Sequence, residues 1–96
     1  MSGQKNYLVT GANRGLGLEF TKQILQAGNN VYAACRNIND IEDLDLLFAE
    51  YKDKLIVVNL DINDHNSILS LSEKLKDTSI DVMINNAGTI GPLPYF

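Results

Sequence analysis

Cysteine, tryptophan and proline are scarce in this sequence of 96 residues, which has one, none and two of them. A lone cysteine excludes an intrachain disulfide. A single cysteine also fits a reducing compartment. Because Cys35 ends an apolar run, we expect it to be a small buried side chain and not a catalytic thiol. The low proline count and the 7 glycines argue against low complexity or disorder. A chain of this length is expected to form one small globular domain.

Long apolar runs and clusters of positive charge are also missing. The longest apolar runs, at residues 31–35 and 55–58, are far shorter than the roughly 20 residues of a membrane-spanning helix. The opening residues MSGQKN contain no apolar signal core. The formal net charge is −4, and no two basic residues are adjacent. We therefore expect a soluble cytoplasmic protein that binds neither membranes nor nucleic acid.

Short β-rich runs alternate with segments in which apolar residues recur at helical spacing. The runs predict strands at residues 7–10, 31–35, 55–60 and 81–85. Nearly continuous apolar strands that alternate with helices are typical of a parallel sheet covered on both faces. The sequence thus predicts a doubly wound α/β fold over residues 1–96, with about four strands and three helices and no internal repeat.

Each predicted helix has an apolar face that we expect to pack on the sheet. The first helix runs from Gly15 to Ala27, and its face comprises Leu16, Phe20, Ile24 and Ala27. The second is capped by Asn39 or Asp40, and its face comprises Ile41, Leu44, Leu47, Phe48 and Tyr51. The third is capped by Asp64, and its buried side comprises Ile68, Leu71 and Leu75.

Residues 10–17, TGANRGLG, fall between the first predicted strand and the first predicted helix. Backbone N–H groups and the helix dipole at such a junction can hold a phosphate. Gly11 permits a tight turn, Gly15 lets the backbone approach a pyrophosphate, and Gly17 allows close packing of the helix. The spacing is neither GxGxxG nor that of a P-loop, which needs Gly and Lys where Leu16 and Gly17 stand. The alternative is a glycine-rich connection without a ligand.

This stretch resembles the classical branch of the short-chain dehydrogenase/reductase family, whose TGxxxGxG motif is matched by Thr10 and the three glycines. A second family motif, NNAG, is matched at residues 85–88, and Asp61 closes the third predicted strand as in the family pattern. TGANRG, together with CRN at residues 35–37, is most similar to the carbonyl-reductase and C-factor-like members. The resemblance covers essentially the whole chain. It implies the N-terminal part of an NAD(P)-binding Rossmann domain, in a family whose members have roughly 250 residues.

The resemblance also implies which residues bind the cofactor. It places along the pyrophosphate and ribose the residues Gly11, Ala12, Asn13, Arg14 and Leu16, and Gly15 and Gly17 of the glycine motif belong to the same cofactor-binding set. Asp61 and Ile62 would bracket the adenine, while the cofactor ribose would contact Asn86, Ala87 and Gly88. Two alternatives stay open from the residues alone: Asp61 caps a turn, and Asn85 with Asn86 holds the fourth strand to its neighbour by side-chain hydrogen bonds to backbone.

The charges near the second strand bear on the choice between NAD and NADP. NAD-specific sites place an acidic residue about 20 residues past the glycines, and here Arg36 occupies that place. Arg14 and Arg36 are the only arginines in the chain. Because a guanidinium group binds phosphate bidentately, the pair predicts NADP or NADPH as the cofactor in preference to NAD. The alternative is that both arginines are solvated surface residues.

The activity implied by the resemblance is reversible hydride transfer to or from a small carbonyl or alcohol substrate, in a homo-oligomer at full length. Classical members use a Ser and a YxxxK pair as catalytic residues, and no YxxxK occurs in these residues. The lone His65 is expected to be exposed, and no metal-ligand spacing surrounds it. The sequence therefore predicts the cofactor-binding half of an NADP-dependent oxidoreductase, with no catalytic residue in this part. The alternative is a truncated, non-catalytic module that binds nucleotide or pairs with another chain.

Overall fold

The computed structural model describes residues 4–37, 39 and 41–86. Its elements, in chain order, are β1 (Asn6–Thr10), α1 (Gly15–Gln26), β2 (Asn30–Cys35), α2 (Glu42–Glu50), β3 (Leu55–Asn59), α3 (His65–Lys74) and β4 (Val82–Ile84). The four strands form one parallel sheet in the order β3-β2-β1-β4. The predicted alternation of strands and helices is confirmed.

Two hydrophobic cores lie on opposite faces of this sheet, because successive side chains of a strand point to opposite sides. Leu8 packs on one face with Val58 and with Leu71 of α3. Its neighbour Val9 packs on the other face, in the core that includes Leu25 of α1 and Leu44 of α2. The sheet is thus covered by α1 and α2 on one side and by α3 on the other, which confirms the doubly wound fold class.

The face predicted for α1 is wrong at three of its four residues: Ala27 is exposed as well as Leu16 and Phe20, and of the four Ile24 alone packs against the core. Leu16 is 66% exposed and Phe20 is 37% exposed, while the residues that α1 buries are Gly17, Thr21 and Leu25. The buried hydroxyl of Thr21 donates to the backbone oxygen of Gly17 at 2.8 Å, so its burial leaves no unpaired donor. The small residues Gly17 and Thr21 let this end of the helix approach the turn at Gly11 closely. A pattern of large apolar residues does not predict such a face.

The predicted start of α2 is also wrong, whereas that of α3 is confirmed. The N-cap of α2 is Ile41, which has no side-chain capping bond, and Asp40 lies outside the described residues. Phe48 is 42% exposed although it was predicted to face the sheet, because α2 packs on the edge strand β3 and on α1. Asp64 caps α3 as expected, since its carboxylate accepts from the backbone N–H of Asn66 at 3.0 Å.

The single cysteine lies where the sequence predicts it. Cys35 is 1% exposed, as expected for a small buried side chain. Among the described residues, no helix is long and apolar enough to cross a membrane.

Candidate functional site

The carboxyl ends of all four strands contribute to one cleft of about 540 Å³. Parallel strands bring the loops that follow them to the same edge of the sheet, where open α/β sheets bind ligands. The lining residues follow β1 (Gly11, Asn13, Arg14, Gly15, Leu16), β2 (Arg36, Asn37), β3 (Leu60, Asp61, Ile62, Asn63) and β4 (Asn86).

The glycines between β1 and α1 are required by the backbone there. Gly11 and Gly15 have φ values of 61° and 60°, in the left-handed region that disfavours side chains. At Gly17 the requirement is space. A Cβ atom there would strike the carbonyl oxygen of Gly11 and would lie 2.8 Å from Nδ2 of Asn86. Glycine is therefore favoured at Gly11 and Gly15 by the backbone conformation and at Gly17 by the lack of space, in agreement with the turn and packing roles predicted for Gly11 and Gly17.

Not every predicted site residue lines the cleft. Ala12 is fully buried, and its N–H donates to the carbonyl oxygen of Ala34 at 3.1 Å, so it lies in the core. Its predicted contact with the pyrophosphate stays a prediction. Gly17 is buried behind the loop and acts by leaving room. Ala87 and Gly88 lie outside the described residues.

The N-terminus of α1 faces the cleft without a negative group of its own. Its N-cap, Arg14, makes no side-chain capping bond, and the first turn has no acidic residue. The other two helices differ: α3 is capped by Asp64, and the first turn of α2 has three acidic residues, Glu42, Asp43 and Asp45. Because the first N–H groups of a helix have no partner within it and carry partial positive charge, the α1 end is suited to an anionic ligand.

Arg14 and Arg36 reach the same cleft from the loops after β1 and β2, and both are exposed. They place two permanent positive charges at the edge where the α1 dipole is also positive. The structure therefore brings together the two arginines that the sequence separates by 22 positions (36 − 14).

Asp61 is the acidic residue of the lining, and it also organises a turn. Its carboxylate Oδ1 accepts from the N–H of Asn63 at 3.0 Å, and its own N–H donates to the hydroxyl of Ser67 at 2.9 Å. No residue in the described part of the chain donates to its other carboxylate oxygen. The turn-capping alternative for Asp61 is thus present in the structure, and it leaves one oxygen for a donor in the cleft.

Asn85 and Asn86 connect β4 to the loop after β1. The Thr10 hydroxyl accepts from the N–H of Asn86 at 2.9 Å and donates to the Asn85 side-chain oxygen at 3.1 Å. Nδ2 of Asn86 donates to the carbonyl oxygen of Gly11 at 3.3 Å. The alternative, in which side chains of this pair bond to neighbouring backbone, is therefore observed for Asn86, whereas the Asn85 side chain accepts from a side-chain hydroxyl. Asn86 lines the cleft as well.

Three lining residues were missed from the sequence: Asn37, Leu60 and Asn63. Each directly adjoins a residue that was singled out, so treating each strand-end loop as a unit would have found them. His65 is exposed at the start of α3, as expected. Within residues 4–37, 39 and 41–86, no group of three or more His, Cys, Asp or Glu side chains is placed to hold a metal ion.

Comparison with known proteins identifies the family. The sequence matches the family described as short chain dehydrogenase over residues 5–95. Retinol dehydrogenase 11 of Homo sapiens is 36% identical over 93 residues, which cover 90% of this chain and 28% of that protein.

Solved structures support the same family. A carbonyl reductase from Pseudomonas aeruginosa in complex with NADP has a TM-score of 0.83 and 34% identity, covering 94% of this chain and 39% of that one. Menthone neomenthol reductase from Mentha piperita has a TM-score of 0.82 and 33% identity, covering 91% and 32%.

The first three curated relatives are matched over 28%, 31% and 36% of their own length, so the chain spans about a third of such proteins. Its glycine loop and its NNAG segment occur in the order expected for the N-terminal portion. The chain belongs to the short-chain dehydrogenase/reductase family of oxidoreductases and corresponds to the N-terminal portion of its members.

Proposed function

We propose that the cleft binds NADP or NADPH and that the protein is a reductase or dehydrogenase that exchanges hydride between this cofactor and a small carbonyl or alcohol. The observation that carries the proposal is the juxtaposition of an uncapped, acid-free helix N-terminus with both arginines of the chain. Three sources of positive potential at one cleft favour a ligand with several phosphate charges. The family membership favours a dinucleotide.

The glycine loop and the start of α1 fit the pyrophosphate. Gly15 lines the cleft at positive φ, and a Cβ atom built on it would meet nothing within 4 Å, so the backbone borders open space. The N–H groups of the first turn would donate to phosphate oxygens, supported by the helix dipole. Leu16, which is 66% exposed, would be covered by the bound cofactor.

The two arginines fit the 2′-phosphate that distinguishes NADP from NAD. Arg36 follows β2, at the place where an NAD site needs a carboxylate for the ribose 2′-hydroxyl. A guanidinium there would attract the phosphate and offers a pair of parallel donors. The Pseudomonas aeruginosa carbonyl reductase, which is similar over 94% of this chain, was solved in complex with NADP and gives independent support.

The loops after β3 and β4 fit the two ends of the cofactor. Asp61 and Ile62 would bracket the adenine, with the second Asp61 oxygen accepting from the adenine 6-amino group. Asn86 would contact the ribose, together with Ala87 and Gly88 as proposed from the sequence. The bound cofactor supplies the hydride chemistry, and the residues described here bind and orient it.

The proton donor is proposed to lie outside these residues, because no YxxxK pair occurs in the sequence. The same observation favours a second candidate, a module that binds the nucleotide without catalysis. Residues 1–96 alone should leave NADPH unconsumed under both candidates. Incubation with NADPH and a panel of aldehydes and ketones therefore separates the two only for a protein in which these residues are joined to a YxxxK segment, where the first candidate consumes the cofactor and the second does not.

Calorimetric titration with NADPH and NADH tests the cofactor choice. We expect tighter binding of NADPH, and Arg36→Ala should weaken it by about tenfold to a hundredfold, the worth of one charge-assisted hydrogen bond. NADH binding should change by less than about twofold. Lys22→Ala, which removes an exposed charge of α1 outside the cleft, is the matched control and should alter neither affinity. Equal losses for the two cofactors in Arg36→Ala would contradict the 2′-phosphate role.

A further inference from the structure

The loop after β3 is held from behind by a residue of α3. The backbone ladder between β2 and β3 extends to Leu60, whose N–H donates to the carbonyl oxygen of Cys35 at 2.9 Å. The next N–H, that of Asp61, points away from β2, because alternate N–H groups of a strand point to opposite sides, and it donates to the hydroxyl of Ser67 at 2.9 Å. Ser67 therefore holds the N–H of the first residue of the loop, which β2 does not hold.

Ser67 holds the loop from outside the proposed cofactor cleft. It lines a second cleft, of about 550 Å³, and is not among the residues of the first. Arg36 and Asp61 line both clefts. A change at Ser67 consequently removes nothing from the lining of the cofactor cleft, yet it acts directly on a residue that belongs to that lining.

The rest of the turn makes the position of Asp61 depend on this bond. The other bonds run within the turn: Asn63 N–H to the Asp61 carboxylate at 3.0 Å, and Asp64 N–H to the Asp61 carbonyl at 3.0 Å. Both make Asp61 the acceptor and join it to the residues that lead into α3, so neither holds the Asp61 N–H. The Ser67 hydroxyl of α3 holds that group, and it is half-buried, where a hydrogen bond is less exposed to competition from water.

We propose that Ser67 is a positioning residue for adenine recognition: by holding the Asp61 backbone it aims the Asp61 carboxylate at the adenine edge without touching the nucleotide. This inference rests on the proposed function, in which the Asp61 oxygen not used by Asn63 accepts from the adenine 6-amino group. Hypoxanthine carries a carbonyl oxygen at that position, and an aimed carboxylate repels it. The preference for adenine over hypoxanthine therefore measures how well Asp61 is aimed.

The test compares the affinities of NADPH and its hypoxanthine analogue for the wild-type protein and for Ser67 variants. We expect the wild type to prefer the adenine cofactor by about tenfold, the worth of one such hydrogen bond. Ser67→Val should reduce the preference to less than about twofold, and Ser67→Thr, which has nearly the same shape but keeps a hydroxyl, should restore it. Ser70→Ala is the control, because Ser70 lies one turn further along α3 and lines the same second cleft.

Amide hydrogen exchange gives a readout that does not depend on cofactor. The Asp61 N–H should exchange at least about tenfold faster in Ser67→Val than in Ser67→Thr, while amides of β1 keep their protection in both, which shows that both variants are folded. An unchanged adenine preference in Ser67→Val would overturn the inference and leave the proposed function intact. A wild-type protein that binds neither dinucleotide would overturn both.

Discussion

The side-chain amide of Asn86 donates to the backbone carbonyl oxygen of Gly11 at 3.3 Å, although 75 positions separate the two residues in the sequence. The same carbonyl oxygen is the atom that a Cβ on Gly17 would strike. The turn after β1 is thus enclosed by the start of α1 on one side and the residues after β4 on the other. Its shape, and with it the proposed phosphate cradle, depends on contacts from both.

Replacing Asn86 tests the contribution of the β4 side. Asn86→Ala removes the donor to Gly11 and should lower the free energy of unfolding by about 1 kcal/mol. Asn86→Asp should cost more, because a carboxylate oxygen then faces the Gly11 carbonyl oxygen without a proton between them. Urea denaturation measures both, with Asn63→Ala, an exposed amide of the cleft whose turn bond is made by its backbone, as control. Equal stability of Asn86→Asp and the wild type would show that the contact is not stabilising.

Gly17 and Gly28 offer a matched pair for the α1 side. Gly17→Ala introduces a methyl group against Gly11 and Asn86, so it should lower the unfolding free energy by about 1–3 kcal/mol and displace the loop. Gly28 has φ 90° with nothing within 4 Å of its Cβ position, so Gly28→Ala costs backbone strain alone, about 1 kcal/mol. NADPH affinity should fall in Gly17→Ala and stay near the wild-type value in Gly28→Ala. A similar loss of affinity in both would trace the effect to stability instead of loop shape.

Local patterns predicted the fold and most of the cleft because the relevant signals lie along the chain. Apolar runs identify the strands, and parallel pairing then brings the residues after them to one edge, as with Arg36 and Asp61. Contacts between distant segments carry no such signal. The bond from Asn86 to the carbonyl oxygen of Gly11 joins residues that are 75 positions apart, and the role of Ser67 depends on where the loop after β3 turns. An apolar periodicity therefore gave α1 a wrong face, since small residues, not large ones, set its closest approach.

The phenol of Tyr51 makes the stability of the fold depend on pH. Partial burial against the core on the α1 and α2 side, and the neighbouring Glu50 carboxylate, raise the pKa of Tyr51 above its ordinary value of 10.0. Below the ordinary pKa, which is that of the unfolded chain, the phenol is protonated in both the folded and the unfolded chain, and its contribution to stability is fully present. As the pH rises through the unfolded pKa, the unfolded chain releases the proton first, so stability falls until the folded pKa is passed.

Two substitutions check this assignment. In Tyr51→Phe, the loss of stability above about pH 10 should be shallower than in the wild type, as measured by urea denaturation across that range. In Glu50→Gln, which removes the charge and keeps the shape, the tyrosinate absorbance should develop at lower pH. An identical absorbance titration in Glu50→Gln would remove Glu50 as a cause.

The strongest test of the proposed phosphate cradle is a substitution that should improve the fold and damage binding. Arg14 is the N-cap of α1, with extended backbone at φ −163° and ψ 169°, the conformation in which an aspartate caps a helix well. Arg14→Asp should therefore raise the unfolding free energy by about 0.5–1 kcal/mol, because its carboxylate accepts from the first-turn N–H groups and complements the dipole. The same carboxylate occupies those donors and repels phosphate, so NADPH affinity should fall by more than tenfold relative to Arg14→Ala, which removes the arginine side chain without adding a negative charge. Undiminished NADPH binding in Arg14→Asp would mean that the cofactor does not use the start of α1.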